Sequence, residues 1–358
     1  AATEERLDVL PLGGLRRAES PTCRRASSAR IARMRSKRKR TRKWTWTSTC
    51  ECSRNNGPKT TGTAGSGGTG ADTLSGGAGN DVFYVDDAGD VLTGETIGYD
   101  KVKAEIDFTL EQGFEYLELV AGSSAISGTG SNAGDRILGN ENDNLLTGLD
   151  GADTLDGNEG DDFIWGGNNN DKLFGRAGSD VIYGEDGNDK INGGVGHDTV
   201  VGGGENDTVM GGEGNDRVEG GDGDDTLYGE DGADTLDGGN GNDRLKGQDG
   251  ADFMLGGAGM DTLQGGEGEN ELNGGTGNDY IICDEAGSDT FVYADGDGID
   301  WVYNFDLDQD AIVFLGLSEN DITVRDIKSN LVFDIGDDAI VFRGLAGTEL
   351  SDFDLTFM

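Results

Sequence analysis

Residues 211–219 read Gly211-Gly212-Glu213-Gly214-Asn215-Asp216-Arg217-Val218-Glu219, and this nine-place pattern runs without a slip from Gly130 to Ile282, 17 consecutive nonamers. All 17 open with Gly, from Gly130 and Gly139 to Gly274. All 17 carry a large apolar residue at the eighth place, from Ile137, Leu146 and Leu155 to Leu263, Leu272 and Ile281. Asp holds the sixth place in fifteen, Asn144 and Asn270 being the exceptions, and Gly holds the fourth in thirteen. Internal repetition is read before any other feature. A glycine-rich flexible linker would not keep 17 of 17 aliphatic residues in phase.

Glycine adopts positive φ and tight turns at little cost. The pattern therefore predicts a turn over the first six places and a very short strand over the last three. Strand neighbours point to opposite faces, so Val218 points inward while Arg217 and Glu219 point outward. The outward places hold a mostly polar set that includes Arg136, Lys172, Lys190, Thr199, Thr226, Asp237 and Gln264. Two nonamers make one coil of 18 residues with a strand on each side. Coils stacked at the strand spacing of ~4.8 Å build a rod of roughly 40 Å. The expected fold is all-β: a parallel β-roll (β-solenoid) of nonapeptide repeats, closed by a C-terminal β cap.

The sixth place carries the chemistry. No turn demands Asp every nine residues, and carboxylates stacked ~5 Å apart on neighbouring strands repel. A divalent cation between turns removes that repulsion. Ca²⁺ takes 6–8 oxygen ligands, and glycine turns leave carbonyls free to supply some of them. One side of the coil carries Asp135, Asp153, Asp171, Asp189, Asp207, Asp225, Asp243, Asp261 and Asp279, with eight gaps between them. The other carries Asp162, Asp180, Asp198, Asp216, Asp234 and Asp252, with five. An ion bridging Asp n and Asp n+18 in each gap makes about 13 well-formed Ca²⁺ sites. Asn144 and Asn270 weaken two more at the ends of the second row.

This nonamer resembles the RTX (repeats-in-toxin) calcium-binding repeat, and farther on Ser288-Asp289-Thr290-Phe291-Val292-Tyr293 and Asn304-Phe305-Asp306-Leu307-Asp308 resemble the C-terminal cap of serralysin-type secreted proteins. The resemblance covers 130–282. It extends to Gly67–Tyr84, where Asp72-Thr73-Leu74-Ser75 and Asp81-Val82-Phe83-Tyr84 end two further copies, so Asp72 and Asp81 join the candidate ligands. It implies calcium-driven folding, export by type I secretion machinery without an N-terminal signal peptide, and an extracellular or cell-surface bacterial location.

The formal charge of −42 is unevenly spread. Residues 1–60 hold 16 Lys/Arg against 5 Asp/Glu, and residues 61–358 hold 12 against 65. Such acidity opposes compaction and disfavours nucleic acid as a partner of the body. The calcium-free chain is expected to be unfolded, and the calcium-loaded one folded. Cysteine is sparse: Cys23, Cys50, Cys52 and Cys283 form no disulfide framework, and no apolar run is long enough to span a membrane.

Four segments are expected. Residues 1–60, with Lys37-Arg38-Lys39-Arg40, read as a basic disordered tail that need not be native to the repeat body. Residues 61–129 hold two repeats and irregular β coils; Val102, Ala104, Ile106, Phe108 and Leu110 alternate as one half-buried strand, and Tyr116–Val120 is a second. Residues 130–282 are the calcium roll. Residues 283–358 lose the period, gain aromatics, and form the cap and the secretion signal.

No catalytic constellation is visible. His197 is the only histidine and sits on a turn, which excludes H-E-x-x-H and nearly excludes a Ser-His-Asp set. No nucleophile elbow or phosphate loop is present. The expectation is a secreted, non-catalytic calcium-binding roll. The alternatives are the C-terminal export and folding module of a larger exoenzyme (protease, lipase or epimerase), or a cell-surface adhesive or ice-binding protein. The third places Glu213, Asp222, Asp231, Asn240 and Asp249, with threonine only at Thr276, argue against ice. Phe163, Trp165, Phe174 and Tyr183 form one outward aromatic set, a candidate weak partner patch.

Overall fold

One aliphatic residue per nonamer, flanked by outward side chains, builds a strand that can bury only a single inward column. The structure, a computed structural model, describes residues 64–93, 98–284 and 287–358. The basic segment 1–60, with Cys23, Cys50 and Cys52, lies outside the described residues. In the repeat region every strand pairs in parallel with the strand 18 residues on: Thr154–Glu159 with Lys172–Ala177, and Phe163–Asn168 with Val181–Asp186. Alternate strands fall into two sheets. The first contains Thr154, Lys172 and Lys190; the second contains Leu145, Phe163 and Val181. The chain is thus a parallel β-solenoid, and all 17 eighth-place residues are fully buried between the sheets.

The division of each nonamer into turn and strand differs from the sequence expectation. Strands are mostly six residues long, as in Arg217–Asp222, and the turn shrinks to the fourth, fifth and sixth places. The strand continues because pairing skips one residue and resumes. Leu145, Leu146 and Thr147 pair with Phe163, Ile164 and Trp165; Gly148 is passed over; Leu149 and Asp150 pair with Gly167 and Asn168. Positive φ at the second place returns the chain to the ladder after the skipped glycine. Gly212 meets this at 119°, yet Leu149 and Gln248 hold 84° and 79° in equivalent places despite their side chains. The backbone path therefore sets this angle whichever residue stands there.

Residues before Gly130 build shorter strands. The alternation from Val102 to Leu110 does not make one strand: Lys101–Ala104 lies in the first sheet and Phe108–Thr109 in the second. The bend between them places Asp107 where its Oδ1 accepts the N–H groups of Ile126 and Ser127 at 2.9 and 3.0 Å. Tyr116–Leu119 returns to the first sheet, beside Arg136–Leu138.

After Ile282 the nine-residue period ends but coil stacking does not. Thr290–Ala294 pairs with Glu271–Gly277, Ile299–Tyr303 with Tyr280–Ile282, and Ala311–Leu315 with Thr290–Ala294. The first sheet ends in an antiparallel run, Ile322–Ile327, Asn330–Ile335 and Asp338–Phe342, and the second in Asp354–Phe357, parallel to Ala311–Leu315. Its aromatic core includes Phe333 and Phe342, whose ring centroids are 5.0 Å apart, and Phe353. Cys283 is fully buried in the central column. Among the described residues no helix is long and apolar enough to cross a membrane.

Candidate metal centre

Each sixth-place Asp stands where the three-residue turn enters a strand. Burial of its neighbouring aliphatic carries the carboxylate inward, and Asp135 through Asp279 are at most 4% exposed. The two oxygens then have different surroundings. One Oδ1 accepts the backbone N–H of the Asp one coil earlier. The bonds Asp153 N to Asp171 Oδ1, Asp180 N to Asp198 Oδ1, Asp189 N to Asp207 Oδ1, Asp225 N to Asp243 Oδ1 and Asp261 N to Asp279 Oδ1 measure 2.7–2.8 Å. The same bond recurs along both rows, so each column is a ladder with one rung per coil.

The second oxygen has no such donor. Oδ2 of Asp153, Asp162, Asp171, Asp180, Asp189, Asp198, Asp207, Asp216, Asp225, Asp234, Asp243, Asp252, Asp261 and Asp279 is buried without a hydrogen-bond partner. At Asp135, the N-terminal end of its row, Oδ1 is the oxygen without a partner, while Oδ2 lies by the Gly130 cradle and accepts from both the N–H and the hydroxyl of Ser131. Leaving a buried carboxylate oxygen unsatisfied costs about 1–3 kcal/mol or more. Two whole columns of such atoms point to a ligand rather than to a packing defect.

The free oxygen faces a cradle made by the opening glycine. A Cβ built on Gly193 would lie 2.5 Å from Asp198 Oδ2 and 2.6 Å from the carbonyl oxygen of Gly211, one coil on. On Gly211 it would lie 2.6 Å from Asp216 Oδ2 and 3.0 Å from the Gly229 carbonyl. A carboxylate and a carbonyl from successive coils thus surround the space that glycine leaves open. Carboxylate and carbonyl oxygens together are the hard donors that Ca²⁺ takes, six to eight at a time. Among the described residues no three His, Cys, Asp or Glu side chains converge on one point. Backbone carbonyls must therefore complete any shell, as a hard oxygen-seeking cation allows.

Burial pushes the carboxyls of Asp153, Asp162, Asp171, Asp198, Asp234, Asp243 and Asp261 up to about 7 and that of Asp207 to about 8. Neighbouring carboxylates add to the rise, against the backbone bond that lowers it. Two positions differ. The Nδ2 of Asn270 donates to Asp289 Oδ1 at 2.9 Å and stands 2.6 Å from the Cβ position of Gly265, so a donor takes the place of the free oxygen. Asn144 closes on Asn140, accepting its N–H at 2.7 Å.

Asp72 and Asp81 occupy the same place in earlier coils. They are 4% and 3% exposed, and their N–H groups donate to Oδ1 of Asp90 and Asp100. Sequence reasoning missed that Asp90 and Asp100 extend the ladders, as do Asp289, Asp300 and Asp310. Asp279 N donates to Asp300 Oδ1 at 3.0 Å, and Asp289 N to Asp310 Oδ1 at 2.9 Å. Each stands at or within the start of a strand as Asp-x-apolar, for example Asp300-Trp301-Val302, and that signal could have found them out of phase.

The aromatic set divides. Trp165 stacks on Phe163 (5.9 Å) and Tyr183 (6.1 Å) in the second sheet. Phe174 lies in the first sheet beneath the Arg176 guanidinium at 4.8 Å. Half a coil separates Phe174 from Trp165, so the two cannot share a face.

The sequence model of the RTX calcium-binding nonapeptide repeat (4 copies) matches residues 66–96, 129–164, 165–200, 201–236, 228–261 and 255–282, more than half of the chain. No curated protein matches it. Among solved structures the chain is similar to a hyperactive, Ca²⁺-dependent, β-helical antifreeze protein from an Antarctic bacterium. That match has 22% identity and a TM-score of 0.47, and covers 72% of this chain and 88% of the other. It is also similar to the extracellular lipase LipA from Serratia marcescens, at 18% identity and a TM-score of 0.22 over 57% of this chain and 41% of the lipase.

Proposed function

We propose, on the premise that this chain belongs to the RTX calcium-binding nonapeptide repeat family, that it is a secreted, non-catalytic β-roll whose folding is switched on by extracellular calcium after type I export. The observation that carries this reading is the pair of columns of buried Asp oxygens without donors, each facing a glycine carbonyl of the next coil.

Energetics argue for the switch. Fully burying one aliphatic side chain contributes about 1.5–3 kcal/mol. Ordering a residue's backbone costs about 1–2 kcal/mol, and each buried aliphatic must order nine residues. Ladder hydrogen bonds narrow that gap, while the stacked carboxylates widen it. A cation at each Asp Oδ2 removes the desolvation penalty and the repulsion together. Because it binds only the folded coil, it stabilises that coil by mass action.

The ions would be held by Asp135, Asp153, Asp171, Asp189, Asp207, Asp225, Asp243, Asp261 and Asp279 in one row and by Asp162, Asp180, Asp198, Asp216, Asp234 and Asp252 in the other. About 13 sites follow if each successive pair shares one ion. Asp72 and Asp81 would add to them. The non-catalytic reading is supported by the use made of His197, whose Nδ1 accepts the Asn215 N–H at 2.9 Å within a turn ladder.

The test is circular dichroism of the full chain in chelator, in Ca²⁺ and in Mg²⁺, with calorimetry to count ions. The expected result is coil in chelator, β-structure with Ca²⁺, and a much weaker response to Mg²⁺. Equal β-content in chelator and in Ca²⁺ would overturn the switch.

A further inference from the structure

The outward seventh and ninth places of the two sheets differ in charge. Between Arg136 and Ile282, the outward seventh and ninth places of the first sheet carry Arg136, Lys172, Lys190, Arg244 and Lys246 against one carboxylate, Asp156. That carboxylate is already paired with Arg176 at 2.8 Å. The same places in the second sheet, from Leu145 to Asn273, carry Arg217 against Glu219, Asp237 and Glu271. Residues 61–358 hold 12 basic groups among 65 acidic ones. Placing five of the 12 in one strip is segregation, not average composition.

The strip is kept at an energetic cost. Lys172 and Lys190 sit directly opposite each other on neighbouring strands, both exposed, and neither forms a salt bridge among the described residues. Like charges so placed are destabilising. Acidic side chains are abundant in this chain, yet among the described residues none pairs with either lysine. Aromatic rings are interleaved with the cations: Lys246 lies 5.7 Å from the Tyr228 ring, and Arg343 lies 5.5 Å from that of Tyr303 at the C-terminal end of the sheet.

From this we infer that the outer face of the first sheet binds a linear acidic polysaccharide, its carboxylates or sulfates on the Lys172–Lys190 pair and the Arg244–Lys246 pair and its sugar rings against Phe174 and Tyr228. Parallel register repeats the cations at multiples of ~4.8 Å along one straight line, which suits an extended polymer. The strip is three residues wide, about 10 Å. Exposed acidic residues flank it: Glu159, Glu213, Asp231, Asp249 and Glu267 at the third places of the same strands, and Asp161 and Glu205 in the turns. A slim glycan fits between those turns. A nucleic-acid duplex is wider and would bring its phosphates against them.

The test uses the full chain in saturating calcium, titrated with dextran sulfate, hyaluronate, neutral dextran and poly(dT) at increasing salt. Dextran sulfate and hyaluronate are expected to bind with affinity that falls as salt rises, and neutral dextran is not. The double variant Lys172→Glu/Lys190→Glu is expected to weaken both glycans about tenfold, while Arg217→Glu on the opposite face leaves them unchanged. Calcium-induced folding of each variant is followed alongside. If charge reversal prevents folding, Lys172→Gln/Lys190→Gln decides, with the same direction expected. Unchanged glycan binding in the lysine variants overturns the inference, and so does equal loss in Arg217→Glu, which would make the effect one of net charge rather than of this face. Tighter binding of poly(dT) that depends on the same lysines overturns it in favour of nucleic acid.

Discussion

Asp216 Oδ1 accepts the backbone N–H of Asp198 at 2.8 Å, across one full coil, while Oδ2 of the same carboxylate is buried without a donor. One side chain thus serves two functions. Its first oxygen sets the spacing between coils, and its second faces the cradle at Gly211. The two can be separated by substitution.

Asp216→Asn retains an acceptor for Asp198 and removes the charge. It is expected to lower calcium stoichiometry by one or two ions in the second row with the roll intact. Asp216→Ala also removes the coil-to-coil bond, a further loss of about 1 kcal/mol. Calorimetry and denaturant unfolding in calcium measure the two effects. Ion loss spread evenly over both rows would contradict the row geometry.

Gly214 stands at φ 137°, and a Cβ there would run into the carbonyl of Gly196. Gly214→Ala is expected to destabilise the calcium-loaded roll by about 1–3 kcal/mol or more. Gly204 has no such constraint, the nearest atom to its Cβ position being 3.8 Å away, so Gly204→Ala is expected to change stability little or raise it slightly. Equal losses at both positions would show that the close carbonyl is not what demands glycine.

Leu227 is fully buried in the single inward column. Leu227→Ala should cost about 2–5 kcal/mol and move the calcium midpoint of folding upward. A midpoint equal to that of the parent chain would mean that the column contributes nothing to the switch.

Acid should partly replace calcium. In the calcium-free roll burial holds Asp153 and Asp171 near about 7 and Asp207 near about 8, against about 3.9 for an unfolded Asp. Between those values the folded state binds more protons than the unfolded one, so its stability falls as pH rises through that window. In chelator, lowering the pH from about 8 to about 5 is expected to increase β-structure, and in calcium it is expected to weaken ion binding by competition. Circular dichroism at the two pH values decides. Loss of structure on acidification in chelator reverses the sign and refutes the burial argument.

Trp165, Phe163 and Tyr183 stack on the outer face of the second sheet, away from both Asp columns. Trp165→Ala is therefore expected to leave calcium affinity unchanged. Reduced self-association measured by sedimentation would identify the stack as a contact surface, whereas a changed calcium midpoint would tie it to the roll's stability.

Much of this protein was legible before any coordinate was known, because it repeats. Aliphatic residues from Ile137 to Ile281 at one phase of nine required one inward column, and the sixth-place Asp residues required two rows 18 residues apart. Both follow from side-chain direction along a strand, which is local. Tertiary structure decided whatever depends on how one coil sits on the next. It determined which oxygen of Asp216 stays free and that the strand resumes beyond Gly148. It also placed Asp300 and Asp310 in the ladders from coils longer than 18 residues, and put Lys172 opposite Lys190 on one face. Those relationships join atoms 18 to 21 residues apart, and their geometry is set by the hydrogen bonds between one coil and the next.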